Sequence, residues 1–320
     1  MNAAEPARVA VLIPCHDEAT TIARVVAAFR AALPGATIHV FDNASRDGTA
    51  AAAAAAGADV RHVALLGKGH VVRRMFADVD ADVYVLVDGD DTYDAGSAPQ
   101  LVGTLLENGF DMVVGVRAAT ASGAWRRGHA WGNRALTGFL GYLFGRPCAD
   151  VLSGYRACSR RFVKSLPVLS GGFEIETELT VHALEMALPV GEVATPYRER
   201  PQGSASKLRT YADGARILLT MVRLFSTERP FAFYGAISFV LAAVSVVLAV
   251  PVLNTYLETG LVPRFPTAIL STGLMITAAL SFFAGLILVT VTKGRRELKA
   301  LFYLRQPPPS ARAARTDREH

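Results

Sequence analysis

The sequence predicts an α/β domain with a mostly parallel sheet, followed by an interfacial helix and two membrane-crossing helices. Three observations carry that prediction. Short β-rich runs alternate with helical patterns over the first third of the 320 residues, and such alternation implies parallel strands joined by crossover helices. Residues 231–253 and 265–292 contain no charged side chain. Each run exceeds the roughly 18–20 residues that, at about 1.5 Å per residue, cross a hydrocarbon core of about 30 Å. Between these parts, Leu208, Tyr211, Ala215, Leu218, Val222 and Phe225 share one helical stripe, with Arg209, Asp213, Arg216 and Arg223 elsewhere. That suits a helix lying on a membrane surface, although a core-facing helix has the same pattern. The expected domains are therefore 1–206, 207–229, 230–293 and a cytosolic tail 294–320, disordered from Gln306, where prolines and charges accumulate.

The strands are read from "RVAVLIP", "TIHVFD", "DVRHV", "DVYVLVD" and "DMVVGVR", and the helices from 20–32, 49–56, 70–78, 97–108 and 128–144. The alanine tract ending at Ala56 is a plain helix, since alanine is the best helix former and Gly57 supplies a stop. "FEIETELTVHAL" reads as a helix with acidic residues in its first turn.

Charge places the ends. Lys207, Arg209, Arg216, Arg223 and Arg229 precede the first apolar run and Lys293, Arg295, Arg296, Lys299 and Arg305 follow the second, whereas the connecting loop has only Arg264. Positive residues stay on the cytosolic side, so both termini and the first domain are expected there. "RVAVLIPCHDE" lacks the pattern of a signal peptide. The net charge of +5 comes from residues beside the apolar runs, which points to anionic headgroups rather than nucleic acid. Cys15, Cys148 and Cys158 have no metal-ligand spacing. Gly273, Ala278, Ser281 and Gly285 would let copies of the hairpin pack as a homo-oligomer.

The chemistry concentrates in "DGDDTYD", Asp88 to Asp94, with four carboxylates in seven residues after an apolar strand. Like charges at about 4 Å repel by about 1 kcal/mol even in water, so a cation belongs among them. An EF-hand loop fails, because Tyr93 and Pro99 stand where it needs Gly and Glu. Asp-x-Asp-x-Thr is also the nucleophile signature of haloacid-dehalogenase phosphatases, but it follows the wrong strand for that family. A solvated turn does not need so many acids. A divalent cation site for a nucleotide diphosphate does, since Mg²⁺ and Mn²⁺ prefer hard carboxylate oxygens.

Together "IPCHDE", "FDNASRDGT", "GKG", "DGDDTYD", "SGYR", "GFEIETEL" and "SASKL", over about residues 8–225, resemble family 2 glycosyltransferases of the GT-A fold. They are most similar to the dolichyl- and polyprenyl-phosphate sugar synthases. The resemblance implies transfer of a sugar from a GDP- or UDP-linked donor to polyprenyl phosphate at the cytoplasmic (inner) membrane. It implies donor contacts at Pro14, Glu18, Asp42, Lys68, Asp88, Gly89 and Asp91, and Mg²⁺ or Mn²⁺ on Asp88 and Asp90. Asp90, Asp150 and Arg117 would be catalytic, and Arg117, Ser153, Arg156, Arg200, Ser206 and Lys207 would hold the acceptor phosphate. Asp17 stands where Asn is usual, and Thr92 where the mannosyltransferases have a third metal ligand, Gln. The sugar and the base stay open, as do a glycan or other lipid acceptor and a non-enzymatic membrane scaffold. A phosphate monoester is already anionic at neutral pH, with a second pKa near about 6, so it needs cations to steer it more than a general base. For each arginine and for Asp150, an ordinary ion pair is the competing reading.

Overall fold

The computed structural model describes residues 7–119, 137–145, 149–172, 174–198 and 210–308. Seven strands form one sheet in the order β3-β2-β1-β4-β6-β5-β7. They are β1 (Val9–Cys15), β2 (Thr37–Asp42), β3 (Asp59–His62), β4 (Val83–Leu86), β5 (Met112–Ala119), β6 (Arg156–Ser159) and β7 (Val190–Tyr197). β1 is parallel to β2 and β4, β2 to β3 and β5 to β7, while β6 runs antiparallel between β4 and β5.

Burial on two faces explains why the first strand is continuously apolar. Ala10 and Leu12 enter one core, and Val11, Ile13 and Cys15 the other. α1 (Ile22–Ala32), α2 (Thr49–Ala55) and α4 (Ala98–Asn108) supply apolar residues to the second core. α3 (Lys68–Asp78), α6 (Arg160–Ser165) and α7 (Ile175–Glu185) supply the first. Residues 137–144 are helical (α5); the earlier part of that expected helix lies outside the described residues.

All five expected strands are present. The two that were not expected have weak signals for physical reasons. β6 is four residues long and begins on an arginine. β7 does alternate buried and exposed positions, but Gly191 and Pro196 interrupt its pattern, and Pro196 is tolerated because β7 is an edge strand.

The chain divides into two compact units, Met1–Ile217 with Leu298–His320, and Leu218–Glu297. α8 spans Thr210–Glu228. α9 (Pro230–Thr259) and α10 (Phe265–Leu304) are long and apolar enough to cross a membrane, with mean hydropathies of 2.7 and 2.4 over their most apolar windows. Inside this hairpin Ser238 Oγ donates to the Ala278 carbonyl and Ser245 Oγ to the Ser271 carbonyl, both at 2.7 Å. Ala278 and Gly285 are buried. These small residues serve the α9–α10 contact itself, before any contact between copies.

α10 continues past the expected boundary at 293. Its last turns belong to the first unit, where Lys299 Nζ meets Glu185 Oε2 at 2.6 Å and the Tyr303 hydroxyl donates to Asp111 Oδ2 at 2.9 Å. The segment from 294 to the end of that helix is therefore ordered structure, because it neutralises a fully buried carboxylate; residues from 309 lie outside the described residues.

Two stability predictions follow from this corner. Lys299→Met removes a cation from the buried Glu185 carboxylate, which costs about 3–5 kcal/mol, so thermal melting of the purified chain should drop sharply while Lys299→Arg recovers most of the loss. His182 Nε2 lies 2.9 Å from Ser165 Oγ, and burial, then the Lys299 charge, lower its pKa to about 3. The unfolded chain therefore takes the proton first. This contribution is complete above the ordinary value of 6.5 and declines as pH falls from there towards 3, by about 1.4 kcal/mol per pH unit. His182→Gln should flatten the melting-against-pH curve over that range.

Candidate active site at the carboxyl edge of the sheet

The parallel strands bring their carboxyl ends to one edge, and the reversal of strand order beside β1 opens a crevice there. Cys15 and Asp42 end β1 and β2 and are paired in register. Burial first, then the charges of Glu18, Asp42, Asp88 and Asp90, push the Cys15 thiol well up. The acidic groups thus converge on the end of β1, from three separate loops.

Asp42 is 1% exposed, with Oδ2 3.0 Å from His62 Nδ1 and Oδ1 without a hydrogen-bond partner among the described residues. Next to it, Asn43 Nδ2 donates to the carbonyls of Val63 (3.0 Å) and Leu65 (2.7 Å), and its Oδ1 accepts from Gly67 N at 2.8 Å. The Gly67 loop is thereby tied to the end of β2. Glu18 is positioned by its own N–H, which donates to Thr49 Oγ1 at 2.8 Å.

Within "DGDDTYD", Thr21 Oγ1 donates to the Gly89 carbonyl at 2.7 Å, and a Cβ on Gly89 would stand 2.6 Å from Cys15 Sγ, so only glycine fits. Asp90 is buried and its Oδ1 accepts from Thr92 Oγ1 at 2.6 Å. Asp91 has φ 59° and lies 3.3 Å from Arg24 Nη2. Asp94 accepts from Ser97 Oγ at 3.1 Å and pairs with Arg198 at 3.0 Å, closing the turn. Asp88 Oδ1 accepts from Lys68 Nζ, which also donates to Glu176 Oε1 at 2.5 Å. Burial alone would lower the Lys68 pKa, but the Asp88 and Glu176 charges outweigh it and leave it raised, so the ammonium keeps its charge.

On the other side of the crevice, Arg117 Nε and Nη2 grip Asp150 Oδ2 and Oδ1 at 2.7 and 2.8 Å, and the guanidinium lies 5.5 Å from the centroid of Tyr197. Arg156 is fully buried. Its Nε donates to the Ser153 carbonyl at 2.9 Å, Nη2 to the Val151 carbonyl at 2.6 Å and Nη1 to Thr180 Oγ1 at 2.9 Å.

With this geometry in place, similarity to known proteins becomes informative. The family model for glycosyl transferase family 2 matches residues 10–166. Glycosyltransferase AglJ of Haloferax volcanii is 32% identical over 298 residues, 92% of this chain and 98% of that protein. The chain belongs to glycosyltransferase family 2. Polyprenol monophosphomannose synthase of Mycolicibacterium smegmatis is 29% identical over 221 residues, 61% of this chain and 79% of that one. Among solved structures, glucosyl-3-phosphoglycerate synthase from Mycobacterium tuberculosis is 25% identical with a TM-score of 0.55, covering 69% of this chain and 79% of that chain. That structure holds Mn²⁺, UDP and glucosyl-3-phosphoglycerate. The sheet domain is thus the GT-A fold of a glycosyltransferase.

In this glycosyltransferase Pro14, Asp42 and Arg117 lie towards the carboxyl ends of β1, β2 and β5, Lys68 opens α3, and Glu18, Asp88, Gly89, Asp90, Asp91, Asp150 and Ser153 lie in connections at the same edge. Arg200, Ser206 and Lys207 lie outside the described residues. Arg156, expected at the acceptor phosphate, is enclosed, and its donors hold the 151–153 loop from beneath. Ser153 is likewise fully buried, its hydroxyl donating to the Gly115 carbonyl at 2.6 Å. Thr92 is 1% exposed, and its hydroxyl donates to Asp90. Glu176 reads from the sequence as a helix N-terminal charge, and its spacing carries no sign that it meets Lys68, 108 residues away.

Among the described residues no three His, Cys, Asp or Glu side chains gather into a metal site. Asp88 and Asp90 nonetheless offer the hard oxygens that Mg²⁺ and Mn²⁺ take, and such ions complete their shell with substrate phosphates and water. The donor set fits, with one Asp88 oxygen already held by Lys68.

The burial of Arg156 separates its two readings by experiment. Arg156→Met strands the carbonyls it serves and should cost about 3 kcal/mol, roughly 6–12 °C of melting temperature in a unit of this size. Affinity for UDP in the protein that remains folded should hold. An acceptor-phosphate ligand would instead leave melting unchanged and raise the KM for acceptor.

Proposed function

We propose that this glycosyltransferase moves one sugar, with inversion, from a nucleotide-diphospho-sugar to polyprenyl phosphate at the cytosolic face of a membrane. The observation that carries this reading is the union, in one chain, of a carboxylate-lined GT-A edge and two apolar helices of membrane-crossing length. The likeness to a polyprenol monophosphomannose synthase supports the acceptor, and the UDP and Mn²⁺ of the M. tuberculosis synthase support the donor and the ion.

On this reading, the unpartnered Oδ1 of Asp42 receives an N–H of the nucleotide base, since a buried acceptor left empty costs about 1–3 kcal/mol. Glu18 and Asp91 border the donor, and Lys68 faces its diphosphate. Asp88 and Asp90 hold Mg²⁺ or Mn²⁺, which when bound neutralises the departing diphosphate. Asp150 fixes the plane of the Arg117 guanidinium, so that an incoming phosphate meets it in one orientation. An oxygen of the acceptor phosphate forms the new bond to the anomeric carbon as the bond to the donor diphosphate breaks. No strong base is required, because the acceptor is already ionised. The resemblance adds Arg200, Ser206 and Lys207, outside the described residues, as further groups for the acceptor phosphate.

The purified full chain, given a panel of GDP- and UDP-sugars with polyprenyl phosphate, should yield a lipid product heavier by one sugar residue. Asp90→Ala should lower kcat/KM on the order of 100- to 1000-fold, the several kcal/mol that ion-assisted charge stabilisation is worth. Full transfer by that variant, or labelled sugar found only in a water-soluble product, would overturn the proposal.

A further inference from the structure

Lys68 raises a problem that the donor-binding role does not answer. It is 10% exposed and it sits on the Asp88 oxygen that a metal would need, with Glu176, 8% exposed, on its other side. The opposite oxygen of Asp88 is backed against Gly154, where a Cβ would stand 2.6 Å away. A divalent ion reaching Asp88 therefore meets an ammonium already in place.

The main chain around Lys68 is closely packed. Cβ atoms on Gly67 and Gly69 would each lie 2.0 Å from the carbonyl oxygens of Gly171 and Ser170. That covering loop is itself pinned: Glu178 accepts from Leu169 N at 2.7 Å and Ser170 N at 2.8 Å, and Arg73 Nε donates to the Val168 carbonyl at 2.7 Å. This packing favours an exchange at Asp88 by movement of the Lys68 side chain. Two cations a few ångströms apart repel, more strongly beside a protein than in water, and a donor diphosphate supplies the displaced ammonium with a new anionic partner.

We infer that Lys68, positioned by Glu176, is an internal counter-cation that occupies Asp88 until metal and donor diphosphate together displace it, and so couples metal binding to donor binding. This deepens the proposed function and rests on its metal assignment. Lys68 keeps the carboxylates neutralised in the empty enzyme, and Glu176 retains the ammonium within reach while it changes partners. Coupling between two ligands is reciprocal, so nucleotide tightens metal binding by the same factor as metal tightens nucleotide binding, and removing the ammonium that metal has to displace reduces that factor.

The test is Mn²⁺ titration of the purified full chain, read by the electron paramagnetic resonance of free Mn²⁺, with and without UDP. The wild type should bind Mn²⁺ weakly alone and about tenfold or more tightly with UDP. Lys68→Met should bind Mn²⁺ alone about tenfold or more tightly than wild type, with the UDP effect reduced, and Lys68→Arg should stay close to wild type. Glu176→Gln leaves Lys68 wholly to Asp88, so Mn²⁺ affinity without UDP should fall below wild type; this variant carries the test if Lys68→Met does not fold. Unchanged or weaker Mn²⁺ binding in folded Lys68→Met, or tighter binding in Glu176→Gln, overturns the exchange while leaving the metal assignment standing. A wild type that takes up no Mn²⁺ even with UDP overturns both. The acceptor plays no part in this titration, so the polyprenyl-phosphate reading stands or falls separately on its lipid product.

Discussion

The constraint on which the site depends is the crowding of carboxylates at the carboxyl edge of the sheet. Glu18, Asp42, Asp88 and Asp90 all act on one buried thiol at the end of β1, and negative charge gathered in this way repels itself unless cations are built in. The protein answers with cations held on fixed elements. Lys68 opens α3 and bridges Asp88 to Glu176, and Arg117, near the end of β5, is locked to Asp150. Each of these cations is held against carboxylates that other parts of the chain supply.

Backbone placement makes that arrangement exact enough to function. Asn43 ties the Gly67 loop to β2, Thr21 holds the Gly89 carbonyl, and Gly154 N donates to the Tyr93 hydroxyl at 2.9 Å. Each ties together two connections that belong to different strands, which holds the site residues of the edge in register. The antiparallel β6 is the device that returns the chain to this edge: it starts there at Arg156, paired with Leu86 of β4. Asp150 and Gly154, which precede it, therefore face the groups that follow β4 and β5.

The C-terminal end of α10 plays a structural role in the sheet unit. Its Lys299 and Tyr303 close on Glu185 and Asp111, and Ser159 Oγ donates to the other Asp111 oxygen at 2.7 Å. A segment that looks like a charged tail thus completes the wall behind α7, and the neutral His182 beside it is part of the same dry corner.

The sequence by itself determined the alternating α/β plan, five of the seven strands, both long apolar helices and the edge at which the acidic motifs meet. Those features are local: periodicity, uncharged length and the position of a motif relative to a strand are all written within a few residues. Tertiary structure decided what sequence spacing cannot express. Arg156 reads as a phosphate-binding arginine in "SGYR", yet pairing with β4 and β5 turns it inward, beneath the loop it supports. Glu176 reads as a helix-terminal charge until the chain brings it to Lys68 from 108 residues away. Burial and long-range pairing assign those roles, because the same charged side chain is a ligand when it faces the crevice and a scaffold when it faces the core.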